Sequence, residues 1–166
     1  MRSKLMNGAL ALVFLLTIVF QLFAAEPEGV VVEMKHQKVV KGADGKEKHE
    51  SAGKAKPGDV IEYKAVYRNK GKREATSLLA TIPIPLGTDY IPGSAKPEKI
   101  LASLDGASFA PAPLKREVTL PSGAKEMRTV PVEEYRAIRW ELNTLAPGKS
   151  ATVSVRVRLS TEPEKK

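Results

Sequence analysis

The chain has 166 residues, no cysteine and a formal net charge of +8. This length fits one domain of ordinary size with a short extension, and the lack of cysteine excludes a small fold held together by disulfides. Hydrophobic residues make up 42% of the sequence, too many for a wholly disordered chain and too few for a protein with many membrane spans. The sequence therefore predicts one packed core without covalent cross-links.

The first 25 residues have the pattern of a secretory signal. Arg2 and Lys4 precede an apolar run over residues 8–25, and a polar segment follows from Glu26. A basic start, an apolar stretch and small residues before a polar break are typical of signal peptides. We predict an N-terminal signal helix within residues 1–25. The alternative is an uncleaved anchor, because this helix of about 27 Å is only slightly shorter than the roughly 30 Å hydrocarbon core.

Both alternatives export the rest of the chain, because the basic start stays in the cytoplasm. We therefore expect the protein in the periplasm or at the cell surface. An uncleaved segment 8–25 would anchor it to the inner membrane, and this is the only membrane contact that the sequence predicts.

The exported part has the pattern of short β-strands separated by turns. Apolar and polar residues alternate with a period of two, which is typical of a strand with one buried face. Strands are predicted over residues 30–40, 60–69, 75–84, 116–120, 137–142 and 151–159, with a hairpin arm within 46–56. No stretch after Ala25 has a convincing helical stripe of ten or more residues.

This spacing of strands without helices predicts an all-β fold. We expect an immunoglobulin-like antiparallel β-sandwich of seven or eight strands over residues 26–160, followed by a polar tail over 161–166. The single tryptophan, Trp140, lies on the apolar side of its strand and is expected in the core, together with Tyr63.

Several turn motifs resemble those of the bacterial conserved repeat domain, a family described as domain of unknown function 11. The motifs are KPGDVIEY from Lys56, YRNKG from Tyr67, PLGTDYIPGS from Pro85, IRW from Ile138 and LAPGKSATV from Leu145. Together they cover about residues 54–160 in the order and spacing of that family. The resemblance implies an immunoglobulin-like domain of exported envelope or surface proteins, often in tandem arrays, and it implies no catalytic residues. This chain differs by its single copy and its long segment 96–134.

The sequence offers no convergent set of catalytic or metal-binding residues. His36 and His49 have no second histidine or cysteine at ligand spacing. Glu133 and Glu134 are adjacent, so in a strand they would point to opposite faces. A nucleophile elbow and a phosphate-binding glycine loop are absent from the sequence. We predict a protein that is not an enzyme and has no metal or cofactor.

Basic residues form the candidate binding surface. Between residues 35 and 56, seven lysines accompany three acidic residues, and a small basic patch is expected on the outer face of the closing strands. The candidate residues are Lys35, Lys38, Lys41, Lys46, Lys48, Arg139, Arg156 and Arg158. Outside the cytoplasm, such a surface suits anionic glycans or lipid headgroups better than nucleic acid. The alternative is a solvated, lysine-rich edge that prevents aggregation.

The preferred hypothesis is a non-catalytic envelope protein with a structural or protein-interaction role. It would recruit an envelope protein through loops or by strand addition at a sheet edge, and Tyr90, Ile91 and Pro92 form one loop end that could contact a partner. The alternative function is the binding of envelope polyanions through the basic surface.

Overall fold

A computed structural model describes residues 29–161 of the chain. The predicted signal segment and all but the first residue of the predicted tail lie outside these residues. The described part contains eleven strands and two short 3-10 turns, Ala52–Lys54 and Val132–Glu134. The strands are β1 Val30–Lys41, β2 Glu47–Ser51, β3 Val60–Asn69, β4 Ala75–Pro83, β5 Thr88–Tyr90, β6 Leu101–Ser103, β7 Ala110–Pro111, β8 Lys115–Thr119, β9 Lys125–Thr129, β10 Ala137–Leu145 and β11 Ser150–Leu159.

The strands form three sheets in which all pairs of strands are antiparallel. The first sheet has the order β2-β1-β3-β11-β5, and the second has the order β4-β10-β6-β7. The third sheet is the β8-β9 hairpin alone. The prediction of an all-β fold with antiparallel strands is confirmed.

Side chains of the first two sheets meet in one buried core, because their central strands alternate as the sequence predicts. Members of this core in the central strands are Ile61, Ala65 and Tyr67 of β3, Ala80 and Ile82 of β4, Ile138 and Trp140 of β10, and Val153, Val155 and Val157 of β11. Trp140 is only 2% exposed, and its indole Nε1 donates a hydrogen bond to Pro97 O at 2.7 Å. Tyr63 is half-buried and packs against the core rather than within it. We call the side of each sheet that faces this core its inner face.

The positions of the long strands follow the sequence prediction closely. β3 has the predicted bounds, and β4, β8 and β11 differ from theirs by one residue. β10 continues three residues beyond the predicted end, to Leu145, because Asn143 adopts a φ of 57° and the pairing with β4 shifts there. The strand therefore bends and returns Leu145 to the core instead of ending at Leu142.

The number of strands is larger than the seven or eight predicted. The additional strands are short pieces that carry little alternation, namely β5, β6, β7 and β9, the last of which pairs with the predicted strand β8. Most of them lie in or beside the segment 96–134. Here isolated side chains point into the core, and apolar and polar residues do not alternate with a period of two. Tyr135 is an example, because it is 1% exposed and its hydroxyl accepts a hydrogen bond from the Leu114 N–H at 2.9 Å.

Candidate interaction surfaces

The first half of β1 is an open strand edge. On one side, β1 pairs with β3 over Val30–Val39, whereas on the other side β2 covers only Gln37–Lys41. Within the part of the chain that the structure describes, no strand pairs with the second side of Val30–His36. Unpaired N–H and C=O groups along such an edge are a template for pairing with another chain.

Backbone hydrogen bonds show which residues of β1 face this edge. The Lys70 N–H donates to Gly29 O at 2.9 Å on the β3 side, and the Gly42 N–H donates to Lys46 O at 2.8 Å on the β2 side. The direction of hydrogen bonding alternates along an antiparallel strand, and the register between β1 and β3 is continuous. The even-numbered residues 30, 32, 34 and 36 therefore direct their N–H and C=O groups toward the open edge.

The same edge carries exposed apolar side chains. Val32 pairs with Tyr67 and Met34 with Ala65, and directly paired residues share a face of the sheet. Both therefore lie on the inner side, yet Val32 is 47% and Met34 is 45% exposed. The core does not cover this part of β1, which combines unpaired backbone groups with apolar surface.

The five candidate lysines do not lie on one face. Lys35 and Lys41 are on the outer face of β1, whereas Lys38 is on the inner face opposite Ile61, and Lys48 is opposite Val40. Lys46 lies in the turn between β1 and β2. The predicted grouping is divided because neighbouring residues of a strand point to opposite faces.

Two of these lysines have carboxylate partners. Lys35 Nζ lies 2.9 Å from a Glu33 oxygen, and Lys38 Nζ lies 2.7 Å from Asp59 Oδ2. The Lys38 ammonium and the Lys56 N–H, which donates to the same carboxylate, hold the pKa of Asp59 below its usual range. Lys38 thus fixes the corner that leads into β3 and contributes little free positive charge.

Arg156 lies in an ion-pair network on the outer face of the first sheet. Its guanidinium donates two hydrogen bonds to Glu47, at 2.8 and 2.7 Å, and its Nε donates to Glu62 at 3.3 Å. The other oxygen of Glu62 lies 3.0 Å from His49 Nε2. His49 therefore lies in β2 with a carboxylate partner. The hydrogen bonds from Arg156 lower the pKa of Glu47, and the network links β2, β3 and β11.

Arg139 is separate from the arginines of the last strand. Arg156 and Arg158 lie on β11 in the first sheet, with Arg158 exposed, whereas Arg139 lies on β10 in the second sheet. Arg139 Nε donates to Thr81 Oγ1 at 2.9 Å, and its guanidinium carbon lies 3.4 Å from the centre of the Phe109 ring. The expected patch of three arginines does not form, because the core separates the outer faces of the two sheets.

A cleft of about 400 Å³ lies beside the predicted loop end. Its floor includes Tyr90 and Tyr135, whose rings stack with centroids 6.0 Å apart. Pro92, Pro113 and Val132 also line it. Burial raises the pKa of Tyr90, and both rings are largely buried, so most of the aromatic surface at this loop end packs internally.

One group of cations was missed by the sequence analysis. At the end of the first sheet where β1 begins, the last residues of β3 and two adjacent loops carry basic side chains, and we call this group the basic end. Its members are Arg68, Lys70, Lys72, Arg73 and Lys149. The run NKGKR from Asn69 was a visible signal, but Lys149 joins it only through the hydrogen bond from the Asn69 N–H to Lys149 O at 3.0 Å.

The described residues contain no group of three or more His, Asp or Glu side chains placed to hold a metal ion. Within residues 29–161 there is also no helix long and apolar enough to cross a membrane.

Comparison with models of known protein families gives no match, and neither the curated proteins nor the solved structures include a match to this chain. The resemblance to the conserved repeat domain therefore stays a prediction from the turn motifs.

Proposed function

We propose that this chain is a non-catalytic, exported envelope protein that recruits another protein by strand addition at the open edge of β1. The observation that carries this proposal is the seven-residue edge Val30–His36, which lacks a strand partner among the described residues. A partner strand placed there would bond to the backbone groups of residues 32 and 34 and cover the exposed side chains Val32 and Met34.

An immunoglobulin-like sandwich is the proposed architecture. It is supported by two antiparallel sheets that share one core, and by turn motifs that resemble the conserved repeat domain. Export is supported by the basic start and the apolar run over residues 8–25. An export signal followed by an all-β domain with an open edge fits a role as an interaction module of the cell envelope.

The short, charged strand β2 supports a selective edge rather than a general aggregation site. All five residues of β2 are exposed and three carry charge, Glu47, Lys48 and Glu50. Natural sheets use short, charged edge strands to prevent uncontrolled pairing. β2 protects the second half of β1 in this manner and leaves the first half accessible.

Photo-crosslinking in living cells tests this proposal. A photoreactive residue would replace Met34 at the open edge, and in a control it would replace Leu86, which is 72% exposed but lies beyond the end of β4. After envelope fractionation, mass spectrometry should identify one recurrent protein attached at position 34 and not at position 86. Identical products at both positions, or no product at position 34, would refute strand addition at this edge.

A further inference from the structure

The basic end is organised by one buried side chain. Asn69 is 1% exposed, and its Nδ2 donates to Arg73 O at 2.8 Å and to Leu145 O at 2.7 Å. Its Oδ1 accepts from the Gly71 N–H at 2.9 Å. These bonds fix the loop 69–74 against the loop 146–149, so the positions of the cations follow from packed structure.

Among the described residues, no salt bridge engages the cations of the basic end, although the charge of Arg68 contributes to lowering the pKa of Glu33. All five side chains are exposed, and within residues 29–161 none lies within 4.0 Å of a carboxylate oxygen. Arg68 makes one hydrogen bond, from Nε to Ser150 Oγ at 3.4 Å. Glu74 is the one acidic residue of the two loops. This contrasts with Lys35, Lys38 and Arg156, whose charges are paired.

The basic end is the end of the domain that lies nearest in sequence to the apolar run. The Lys70 N–H donates to Gly29 O at 2.9 Å, and only residues 26–28 separate Gly29 from the apolar run 8–25. Three extended residues reach about 10 Å. The other end of the first sheet holds the last described residue, Thr161, whose side chain lies 3.9 Å from the position of a Cβ on Gly58.

We propose that the basic end binds the anionic lipid headgroups of a membrane surface. A flat lipid surface suits cations that come from two adjacent loops and a strand end at one tip of a domain, and each lysine or arginine near an anionic membrane contributes about fivefold in affinity. The basic end would contact the membrane in the same way whether the apolar run 8–25 is retained or removed. The inference is independent of the open edge of β1, which uses backbone pairing rather than charge.

Charge reversal tests the inference against a matched control on the full chain. The test variant is Lys70→Glu, Lys72→Glu and Arg73→Glu, and the control is Lys41→Glu, Lys46→Glu and Lys48→Glu. Both change the net charge equally, but the control residues lie at the opposite end of β1, about 40 Å away. The control also examines the lysine-rich segment that the sequence analysis favoured.

The measurement is binding to vesicles of phosphatidylcholine alone and of phosphatidylcholine with phosphatidylglycerol, at low and high salt. We expect the unchanged chain and the control to prefer the anionic vesicles, and the preference to weaken at high salt. The test variant should lose at least about a hundredfold in this preference, because three cations are removed and three repelling carboxylates are added. Equal losses in both variants or a larger loss in the control would overturn the inference.

A second readout keeps the test decisive when the apolar run inserts into both kinds of vesicle. The chain has no cysteine, so a dye can be attached to Ala146→Cys beside the basic end, or to Leu86→Cys at the far end. Energy transfer to labelled headgroups should be strong from position 146 only, and it should fall when salt is added or in the test variant. Equal transfer from both positions would overturn the inference. Inorganic phosphate that competes as well as vesicles would point to a free anion as the ligand and would overturn it as well.

Discussion

Asn69 and Leu145 are 76 residues apart in the chain, yet the Asn69 side-chain amide donates to the buried Leu145 carbonyl at 2.7 Å. This bond connects the end of β3 in the first sheet with the end of β10 in the second. The Asn69 backbone adds two further bonds, because its N–H donates to Lys149 O and its C=O accepts from the Gly148 N–H at 2.8 Å. One residue thus joins both sheets and the loop that leads into β11.

Replacing Asn69 should destabilise the fold strongly. Asn69→Ala leaves the carbonyl groups of Leu145 and Arg73 and the Gly71 N–H without their partner, and each unsatisfied buried group costs roughly 1–3 kcal/mol. We expect a loss of about 3 kcal/mol in the free energy of unfolding, measured by urea denaturation. Asn69→Asp should also destabilise at neutral pH, because it directs a negative charge at two carbonyl oxygens. Thr144→Ala, at an exposed neighbour of Leu145, should change stability by less than about 0.5 kcal/mol.

Substitution of Trp140 separates packing from hydrogen bonding. Trp140→Ala should cost about 3–5 kcal/mol, because it leaves a cavity between the sheets. Trp140→Phe keeps much of the apolar volume but removes the donor to Pro97 O, so it should cost less than the alanine variant and more than zero. Circular dichroism is the measurement, since both variants lack the single tryptophan. A Trp140→Phe variant as stable as the unchanged chain would show that the indole hydrogen bond contributes nothing.

Asp105 should make stability depend on pH in the acid range. Its carboxylate accepts hydrogen bonds from the Ala107 and Ser108 N–H groups, at 2.8 and 2.7 Å, and from the Ser103 hydroxyl at 2.8 Å. These bonds favour the charged form, so the pKa of Asp105 lies well below its usual range. A lowered folded-state pKa stabilises the fold above the unfolded-state pKa near 4, and this contribution is lost as the pH falls further.

The Asp105→Asn variant tests this dependence. At pH 7 the unchanged chain should have the higher urea midpoint, and below about pH 4 the difference between the two proteins should shrink. A difference that stays constant from pH 7 to acid would contradict the assigned role of the carboxylate.

Substitutions at the open edge should affect association without affecting stability. Val32→Thr and Met34→Thr remove exposed apolar surface but keep a residue type that favours strands, so the free energy of unfolding should change by less than about 0.5 kcal/mol. Crosslinking to the partner should fall, because the side chains that a partner strand would cover are lost. A large loss of stability would show that these side chains belong to the core, which contradicts an accessible edge.

The parts of the fold that were predictable are those in which alternation is strict. In β3 as far as Tyr67 and in β11 every second residue is apolar, and the structure buries Ile61, Ala65, Val153 and Val155 as that pattern requires. Short strands such as β7, with two residues, have no period to detect. Tyr135 enters the core from a loop, and alternation does not predict such a position.

The candidate surfaces were harder to predict because they depend on pairing between distant segments. Lys38 looks like its neighbour lysines in the sequence, but the structure pairs it with Asp59 on the inner side. The open edge of β1 is visible only once the length of β2 is known. Lys149 joins the basic end because its carbonyl bonds to Asn69 at the end of β3, and β3 is far from Lys149 in the sequence.

The most direct test of strand addition uses proline at the open edge. The Met34 N–H points away from β3, so Met34→Pro removes a donor to an added strand and leaves the β1–β3 ladder intact, as proline permits at a sheet edge. Crosslinking of a tagged chain in cells would compare Met34→Pro with Met34→Ala, after thermal unfolding shows that both are folded. We predict that the recurrent protein neighbour is recovered more weakly with alanine than in the unchanged chain, because apolar surface is lost, and is not recovered with proline, because the backbone donor is lost as well. A neighbour recovered equally with folded Met34→Pro would contradict strand addition at β1.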